Sequence, residues 1–173
     1  TLMAARATGR LQFLSSLDEL ARNPDTLEVQ MHRAIEQSLW MLGAPYHLMS
    51  SNATLKTVVE DYTRKKFTGK NASKRPDLLL SADPGDFYLL IEFKRPRNAV
   101  SREDETQAQI YADELHLLLP AKPIHVAIIG GRSATKTNPQ NDTPNLRDWT
   151  YADLISRSRH EVQWLLNNAT TPR

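Results

Sequence analysis

Apolar residues recur along this chain with two different periods, which predict helices in some segments and strands in others. A spacing of three to four residues runs through residues 9–21 and again through 26–42, as expected of helices that bury one face. Asn23-Pro24-Asp25 separates these segments, Thr26 or Asp25 can cap the second helix, and Gly43 can end it. The predicted core stripe of the second helix is Leu27, Met31, Ala34, Ile35, Leu39 and Leu42.

A β-hairpin is the clearest feature in the middle of the chain. Residues 77–80 and 87–93 are predicted strands, and Asp83-Pro84-Gly85-Asp86 supplies the turn between them. Because the second strand is apolar on both faces from Phe87 to Ile91, we expect it to be central in its sheet. Residues 45–75 are mixed, and Val58, Val59 and Tyr62 could belong to a short strand or helix.

Helical and strand patterns continue to alternate after the hairpin. We predict a helix over 104–119, a buried strand over 124–129, a polar loop over 132–145 and a last helix from near 150 to about 166. Pro120 stops the first of these helices, and Gly130-Gly131 ends the strand. This order predicts an α/β fold with a mixed β-sheet flanked by helices. We interpret residues 1–24 as an N-terminal linker helix and 25–173 as the main domain.

Composition narrows the class of protein. The chain has 173 residues, of which 40% are hydrophobic and 24% charged, as expected for one folded domain. No apolar run approaches the roughly 20 residues of a membrane-spanning helix, so we expect no membrane association. The absence of cysteine excludes disulfides, thiolate zinc sites and cysteine nucleophiles, and we expect a cytoplasmic location. Because the chain lacks an initiator Met, we expect it to be either a fragment of a longer protein or a trimmed chain.

The net charge of +2 is small, but the basic residues are clustered. Residues 62–76 contain six basic side chains and no acidic one. Such a cluster can neutralise nucleic-acid phosphates, although a solvated loop explains it equally well. The predicted nucleic-acid-binding residues are Arg64, Lys65, Lys66, Lys70, Lys74, Arg75, Arg95 and Arg97.

The hairpin brings acidic residues together. Centred between its Pro and Gly, it pairs Leu78 with Ile91 and therefore Asp77 with Glu92, at a Cβ separation of roughly 5 Å. Two carboxylates so placed repel each other unless a cation such as Mg²⁺ lies between them. Lys94 projects from the same face as Glu92, where an ammonium can help to hold or deprotonate an attacking water and stabilise charge on a phosphate. The pattern predicts phosphodiester hydrolysis; the alternative is a surface hairpin end with a Lys–Glu pair.

A third acidic residue can come from the first core helix. With the apolar stripe centred near Met31, Glu28 lies about 60° from that centre and Glu36 about 140° away. Glu28 therefore borders the buried face and is a candidate metal ligand, whereas Glu36 should be solvated. We interpret His32 as a boundary residue without a ligand role.

Gln107 and Tyr111 are spaced to share one face of the predicted helix that follows the second strand. These side chains could position a catalytic water or contact a phosphate, and both are candidate catalytic residues. Packing plus a hydrogen bond explains the same spacing equally well.

Taken in order, these motifs resemble the PD-(D/E)XK nuclease superfamily. Pro76-Asp77 followed by Glu92-Phe93-Lys94 resembles its signature, and Gln107-x-x-x-Tyr111 is similar to the Q-x-x-x-Y motif of its RecB- and exonuclease-like branches. A closer similarity is to the nuclease domain of Shedu-type antiphage defence proteins. The segments that carry it are residues 28–43, Ile91-Glu-Phe-Lys-Arg-Pro96 and Trp149-Thr-Tyr-Ala-Asp-Leu154.

The resemblance implies a restriction-endonuclease-like fold and a DNA endonuclease that depends on Mg²⁺ or Mn²⁺. It also implies a role in prokaryotic antiphage immunity, assembly into a homo-oligomer and control by an attached or separate regulatory domain. Asp77, Glu92 and Lys94 would then be catalytic, and Glu28, Asp77 and Glu92 would bind the metal ion.

Three alternatives remain at the level of sequence. A catalytically silent PD-(D/E)XK-like module would bind DNA or a partner without cleaving. A nucleotide-binding domain could use Gly130-Gly131-Arg132-Ser133, although neither G-x-x-x-x-G-K-[ST] nor G-x-G-x-x-G is present. A purely structural interaction domain would bind no metal ion at Asp77 and Glu92.

Overall fold

In the part of the chain that the structure describes, five β-strands form one mixed sheet, with helices on both of its faces. The computed structural model describes residues 2–43, 46–51, 57, 77–82, 87–133 and 145–169. The helices are α1 (Leu2–Arg22), α2 (Glu28–Glu36), a 3₁₀ helix (Leu39–Leu42), α3 (Arg102–Leu118) and α4 (Tyr151–Ala169). The strands are β1 (Tyr46–Ser51), β2 (Leu78–Ala82), β3 (Phe87–Phe93), β4 (Ile124–Gly130) and β5 (Leu146–Thr150).

The strand order in the sheet follows the chain, β1-β2-β3-β4-β5. The pairs β1–β2 and β2–β3 are antiparallel, whereas β3–β4 and β4–β5 are parallel. β3 is therefore central, as its apolar sequence predicted. This arrangement confirms the predicted α/β fold with a mixed sheet flanked by helices. No helix in the described part of the chain is both long and apolar enough to cross a bilayer.

Side chains of β3 alternate between two separate parts of the core. Ile91 and Phe93 pack with residues of α1, α2 and α4, including Leu14 and Met31. Leu90 packs on the other face against residues of α3, including Ala112. The alternation is the ordinary consequence of strand geometry, and β2 and β4 divide their side chains between the same two clusters.

The helix predicted over 26–42 is two elements rather than one. α2 ends at Glu36, and Ser38 has a backbone conformation (φ −137°, ψ 45°) that cannot continue a helix. The 3₁₀ helix follows, and Gly43 ends it with φ 88°, which confirms the predicted stop at this glycine.

The predicted cap of α2 is also wrong. The helix begins at Glu28, so the extended residue Leu27 is the N-cap, and the Thr26 hydroxyl donates instead to the carbonyl of Leu20 (2.6 Å). Leu27 consequently lies outside the core stripe and is 43% exposed, whereas Met31 and Ile35 are fully buried as predicted.

Two strands had no clear sequence pattern. β1 lies in the segment described above as mixed, and β5 follows the predicted polar loop. Both are edge strands with several polar residues, so neither carries a strong apolar alternation. The predicted hairpin turn at 83–86, the residues Val58, Val59 and Tyr62, and most of the predicted loop over 132–145 lie outside the described residues.

The N-terminal helix shares the core of the sheet. Leu14 and Leu17 of α1 are fully buried in the same cluster as Ile91 and Phe93 of β3. The division into a linker helix over 1–24 and a domain over 25–173 stays a prediction, but α1 is packed as a structural layer.

Candidate active site

The predicted acidic residues lie at one end of the sheet. Leu78 pairs with Ile91 and Leu80 with Leu89, which confirms the predicted register. Asp77 immediately precedes β2, next to the end of β3 that carries Glu92. The carboxyl ends of the parallel strands β3, β4 and β5 meet at this edge, which is where open α/β sheets generally place their binding sites.

Asp77 is fixed by the main chain of β3. Its Oδ2 accepts a hydrogen bond from the backbone N–H of Phe93 at 2.7 Å, and its side chain is 16% exposed. Burial raises the pKa of Asp77, although the Phe93 N–H, His32 and Lys94 act in the opposite direction. This hydrogen bond fixes the orientation of the Asp77 carboxylate.

Glu92 lies in an environment that disfavours its charge. Its Oε1 is buried and has no hydrogen-bond partner among the described residues. Burial raises the pKa of Glu92 to about 8, and the Asp77 carboxylate contributes to the rise, whereas Lys94 opposes it. A buried carboxylate oxygen without a donor costs free energy unless a proton or a cation meets it.

Glu28 reaches the same region from the first turn of α2. Burial raises the pKa of Glu28, Asp77 raises it further, and Lys94 and Arg95 lower it. Three carboxylates from separate elements therefore interact electrostatically, as the helical-wheel argument for Glu28 anticipated. The side chain of Glu36 is 28% exposed and lies 3.7 Å from His32 Nε2.

His32 lies inside this region rather than at its margin, which the sequence did not indicate. It is 7% exposed, its ring stacks on Phe93 with centroids 5.3 Å apart, and its Nδ1 is 3.8 Å from Asp77 Oδ1. Its Nε2 is 3.1 Å from the hydroxyl of Ser51. The one available signal was its position one turn after Glu28 on the same helix.

Lys94 is placed by contacts to three elements. Its N–H donates to the Ile129 carbonyl of β4 (2.8 Å), and its own carbonyl accepts from the Tyr151 hydroxyl of α4 (2.7 Å). Its Nζ lies 2.9 Å from Oδ1 of Asp104 in α3. Burial alone would lower the pKa of Lys94, but Asp104, Glu92 and Glu28 together raise it.

Asp104 is a site residue that the sequence interpretation missed. It lies in the first turn of α3, where Ser101 and Asp104 form a capping box. The pattern Ser-x-x-Asp at a helix start was visible in the sequence, but it is normally explained by capping alone. Only the fold shows that the second carboxylate oxygen faces Lys94.

The donor set suits a hard divalent cation with few protein ligands. No three His, Asp or Glu side chains within the described ranges converge as a complete metal site. Mg²⁺ commonly takes one or two carboxylates and keeps several waters, so such a cluster is not required. The buried, unpartnered Oε1 of Glu92 beside the Asp77 carboxylate fits that chemistry.

Gln107 and Tyr111 are joined to each other. The Gln107 amide donates to the Tyr111 hydroxyl, and the Tyr111 ring is buried in the core between α3 and the sheet. A catalytic role and a packing role both require the two side chains to share a helix face. The contacts observed, core packing and one hydrogen bond, are those expected of the packing role. Their catalytic role stays a prediction.

The predicted basic surface is described only in part. Arg64, Lys65, Lys66, Lys70, Lys74 and Arg75 lie outside the described residues. Arg97 is exposed and Arg95 partly exposed, in the segment that leaves β3 after Lys94. These two arginines are therefore available next to the candidate site.

The two glycines considered for nucleotide binding have a packing role. The Gly131 N–H donates to the Asn98 carbonyl (2.9 Å), and a Cβ at Gly131 would lie 1.6 Å from the carbonyl oxygen of Pro96. A Cβ at Gly130 would lie 3.1 Å from Val100 Cγ2. Glycine is thus required for the segment after β3 to lie against the end of β4.

Comparison with solved structures identifies the fold. The crystal structure of a repair endonuclease from Pyrococcus abyssi is similar over 75% of this chain and 48% of its own, with a TM-score of 0.52 and 10% identity. The SdaI restriction endonuclease matches 76% of this chain and 42% of its own, with a TM-score of 0.44 and 14% identity.

This chain thus spans less than half the length of either structure. No protein-family model and no curated protein matches it. Together with the mixed five-stranded sheet, the comparison with the repair endonuclease shows that the chain has a restriction-endonuclease-like α/β fold.

Proposed function

We propose that this domain hydrolyses phosphodiester bonds in DNA with the help of Mg²⁺ or Mn²⁺. The observation that carries the proposal is the grouping of Asp77, Glu92 and Lys94 at one end of the sheet, with a buried Glu92 oxygen that has no partner among the described residues. Nuclease activity at such a site would explain why repelling carboxylates are kept together at a cost in stability.

Each residue has a separate task in this proposal. Asp77, held by the Phe93 N–H, and Glu92 would bind the cation, and Glu28 would add negative charge from α2. The cation would act as a Lewis acid toward the scissile phosphate. The Lys94 ammonium would stabilise the negative charge that grows on the phosphate during attack by water.

Nucleic acid is the substrate class that the surrounding charge favours, and the choice of DNA rests on the resemblance of the site motifs to the PD-(D/E)XK nucleases. Arg95 follows Lys94 directly and Arg97 lies two residues further on, and the six basic residues between 62 and 76 add to the positive charge of the chain. Neutralisation of phosphates by such side chains makes binding weaker as salt concentration rises. We expect the affinity for duplex DNA to fall between 50 and 200 mM salt by about tenfold for each pair of phosphate contacts, measured by fluorescence anisotropy.

The principal test is cleavage of supercoiled plasmid with Mg²⁺, Mn²⁺ or EDTA. We expect cleavage only with the metal ions, and Lys94→Ala should lower the rate by about 100-fold or more, as for loss of a transition-state donor. Lys122→Ala is the matched control, because Lys122 lies over the Tyr88 ring and not at the site. Equal cleavage by the parent and Lys94→Ala would contradict the assigned role of Lys94.

Calorimetric titration with Mn²⁺ separates this proposal from the two non-catalytic alternatives. Binding that is lost in Asp77→Asn and Glu92→Gln, together with metal-dependent cleavage, supports the nuclease. Binding without cleavage would instead support a silent DNA-binding module. No Mn²⁺ binding by the folded parent would favour a purely structural interaction domain.

We further propose that the nuclease is the effector of a prokaryotic antiphage system, acts as a homo-oligomer and is controlled by a regulatory domain. Support comes from the resemblance of residues 28–43, 91–96 and 149–154 to the Shedu-type nuclease domain. In cells that express the full-length protein, phage plating should fall, and Lys94→Ala should restore it. Unchanged plating with the active parent would contradict the defence role without affecting the nuclease proposal.

A further inference from the structure

Both backbone polar groups of Lys94 are hydrogen-bonded, whereas its side chain is long and flexible. Its N–H and C=O are bonded to Ile129 and Tyr151, which fixes the backbone at the end of β3. A lysine stem nevertheless has four rotatable bonds and could carry the ammonium into solvent. The side chain is only 25% exposed because its Nζ is held 2.9 Å from Asp104 Oδ1.

Asp104 is itself held in place by the start of α3. Its Oδ2 accepts from the Ser101 N–H (2.9 Å) and the Ser101 hydroxyl (2.8 Å), and its own N–H donates to the Ser101 hydroxyl (3.1 Å). One carboxylate oxygen therefore serves the capping box, and the other is left for Lys94. The N-terminal end of the helix also favours a negative charge there.

The electrostatic environment agrees with this division. Burial would raise the pKa of Asp104, but hydrogen bonds from Lys94 and Ser101 lower it below its usual value. Asp104 is one of three acidic residues in the first turn of α3. Of the other two, Glu105 pairs with Arg102 at 3.0 Å and Glu103 is exposed.

We infer that Asp104 is a positioning residue that holds the Lys94 ammonium at the edge of the carboxylate group. The inference rests on the proposed nuclease function. Without Asp104, the carboxylates of Glu92, Glu28 and Asp77 are the groups whose charge attracts the ammonium. An ion pair with any of them would take Lys94 away from the phosphate and compete with the cation.

The test compares Asp104→Asn, Asp104→Glu and Glu103→Gln in the full chain. Asparagine keeps an oxygen that can accept from Ser101 but loses the ionic contact with Lys94. We expect Asp104→Asn to lower kcat by roughly 10- to 100-fold, as for removal of a residue that orients a site, while KM for DNA changes less than about threefold. Asp104→Glu should recover part of the loss, and Glu103→Gln should behave as the parent.

Two further measurements distinguish positioning from a structural role. Ser101→Ala removes the cap but keeps the carboxylate, so it should lower the Tm more than Asp104→Asn does and kcat less. The ¹⁵N-detected ammonium signal of Lys94, assigned by its loss in Lys94→Arg, should be visible in the parent and broadened by exchange in Asp104→Asn.

An unchanged or increased kcat in Asp104→Asn would overturn the inference, since an increase would mean that Asp104 restrains Lys94 from acting. Equal losses of Tm and kcat in Ser101→Ala and Asp104→Asn would also overturn it. If the parent shows no metal-dependent cleavage, the proposed function fails and the inference fails with it. Normal cleavage by both the parent and Asp104→Asn defeats the inference alone.

Discussion

At the scale of single residues, Glu92 lies in an environment that favours its neutral form over its charged form. Burial and the adjacent Asp77 carboxylate both raise its pKa, to about 8, and its buried Oε1 meets no donor within the described ranges. Binding sites often keep such unfavourable groups because the ligand, and not the protein, completes them. The metal-free protein should therefore be less stable than a variant that lacks this charge.

Glu92→Gln tests that expectation in the presence of EDTA. The pKa of Glu92 rises from 4.5 to about 8 on folding, so the unfolded chain ionises first as pH increases. This residue's contribution to stability is intact below about 4.5, falls between 4.5 and 8, and stays reduced above that range. We expect the Tm of Glu92→Gln to exceed that of the parent by an amount that grows from pH 5 to pH 8.

Thermal unfolding followed by circular dichroism is the measurement, with Glu161→Gln as the control for changing an exposed glutamate of α4. A difference in Tm that is independent of pH over this range would contradict the prediction. With Mn²⁺ present, the order should reverse, because only the parent can bind the cation through this carboxylate.

The sequence predicted part of this residue-scale picture. Asp77, Glu92 and Lys94 could be grouped because strand alternation and hairpin register are short-range properties. His32 and Asp104 could not, because each has an ordinary local explanation, as a helix residue and as a cap. Their contacts with Asp77 and Lys94 come from the packing of α2 and α3 on the sheet.

At the scale of elements, the segment after β3 depends on close approach to the end of β4. Val100 N–H donates to the Arg132 carbonyl (2.9 Å) and Gly131 N–H to the Asn98 carbonyl (2.9 Å). These bonds hold the turn that begins at Lys94 and ends at Ser101, the cap of α3. Backbone hydrogen bonds to the end of β4 therefore fix the path of the chain between β3 and α3.

Gly131→Ala should disrupt this connection. A methyl group 1.6 Å from the Pro96 carbonyl oxygen forces the two backbones apart, and we expect a loss of about 1–3 kcal/mol in the free energy of unfolding. Gly9→Ala is the opposite control, since a Cβ in that position of α1 meets nothing within 4 Å and should stabilise by about 0.5–1 kcal/mol. Urea unfolding measures both, and a Gly131→Ala protein as stable as the parent would contradict the packing role.

The elements that the sequence predicted correctly are those with strong local signals. β3 was recognised as central by its apolar run, and α3 and α4 by periodicity. β1 and β5 were missed because an edge strand pairs with only one neighbouring strand and tolerates polar residues. The end of α2 at Glu36 was missed because the same apolar spacing continues into the 3₁₀ helix. That helix is held by a contact distant in sequence, since the Met41 carbonyl accepts a hydrogen bond from the Ser158 hydroxyl of α4 at 3.3 Å.

At the scale of the whole molecule, α1 is a structural layer and not a loose extension. Leu14 and Leu17 are buried with Phe93, which stacks on His32 of the candidate site. The helix therefore contributes to the same part of the core that supports the end of β3.

Leu14→Ala measures how much the molecule depends on this helix. Leu14 is fully buried, so we expect a loss of about 2–5 kcal/mol from lost burial and the resulting cavity. Leu117→Ala is the matched control, because Leu117 is 80% exposed on α3 and its truncation should change stability by less than about 0.5 kcal/mol. Equal effects in urea unfolding would show that α1 behaves as a linker, as its sequence first suggested.

The alternation of β3 also limits how this region of the chain can vary in length. Ile91 and Phe93 fill one side of the sheet, while Glu92 lies between them and points to the other. A single-residue insertion or deletion within this strand would exchange the two sides, placing the carboxylate among the apolar side chains of α1, α2 and α4 and the aromatic ring at the candidate site. Any natural length variation near this site is thus expected in the connections on either side of β3, or in steps of two.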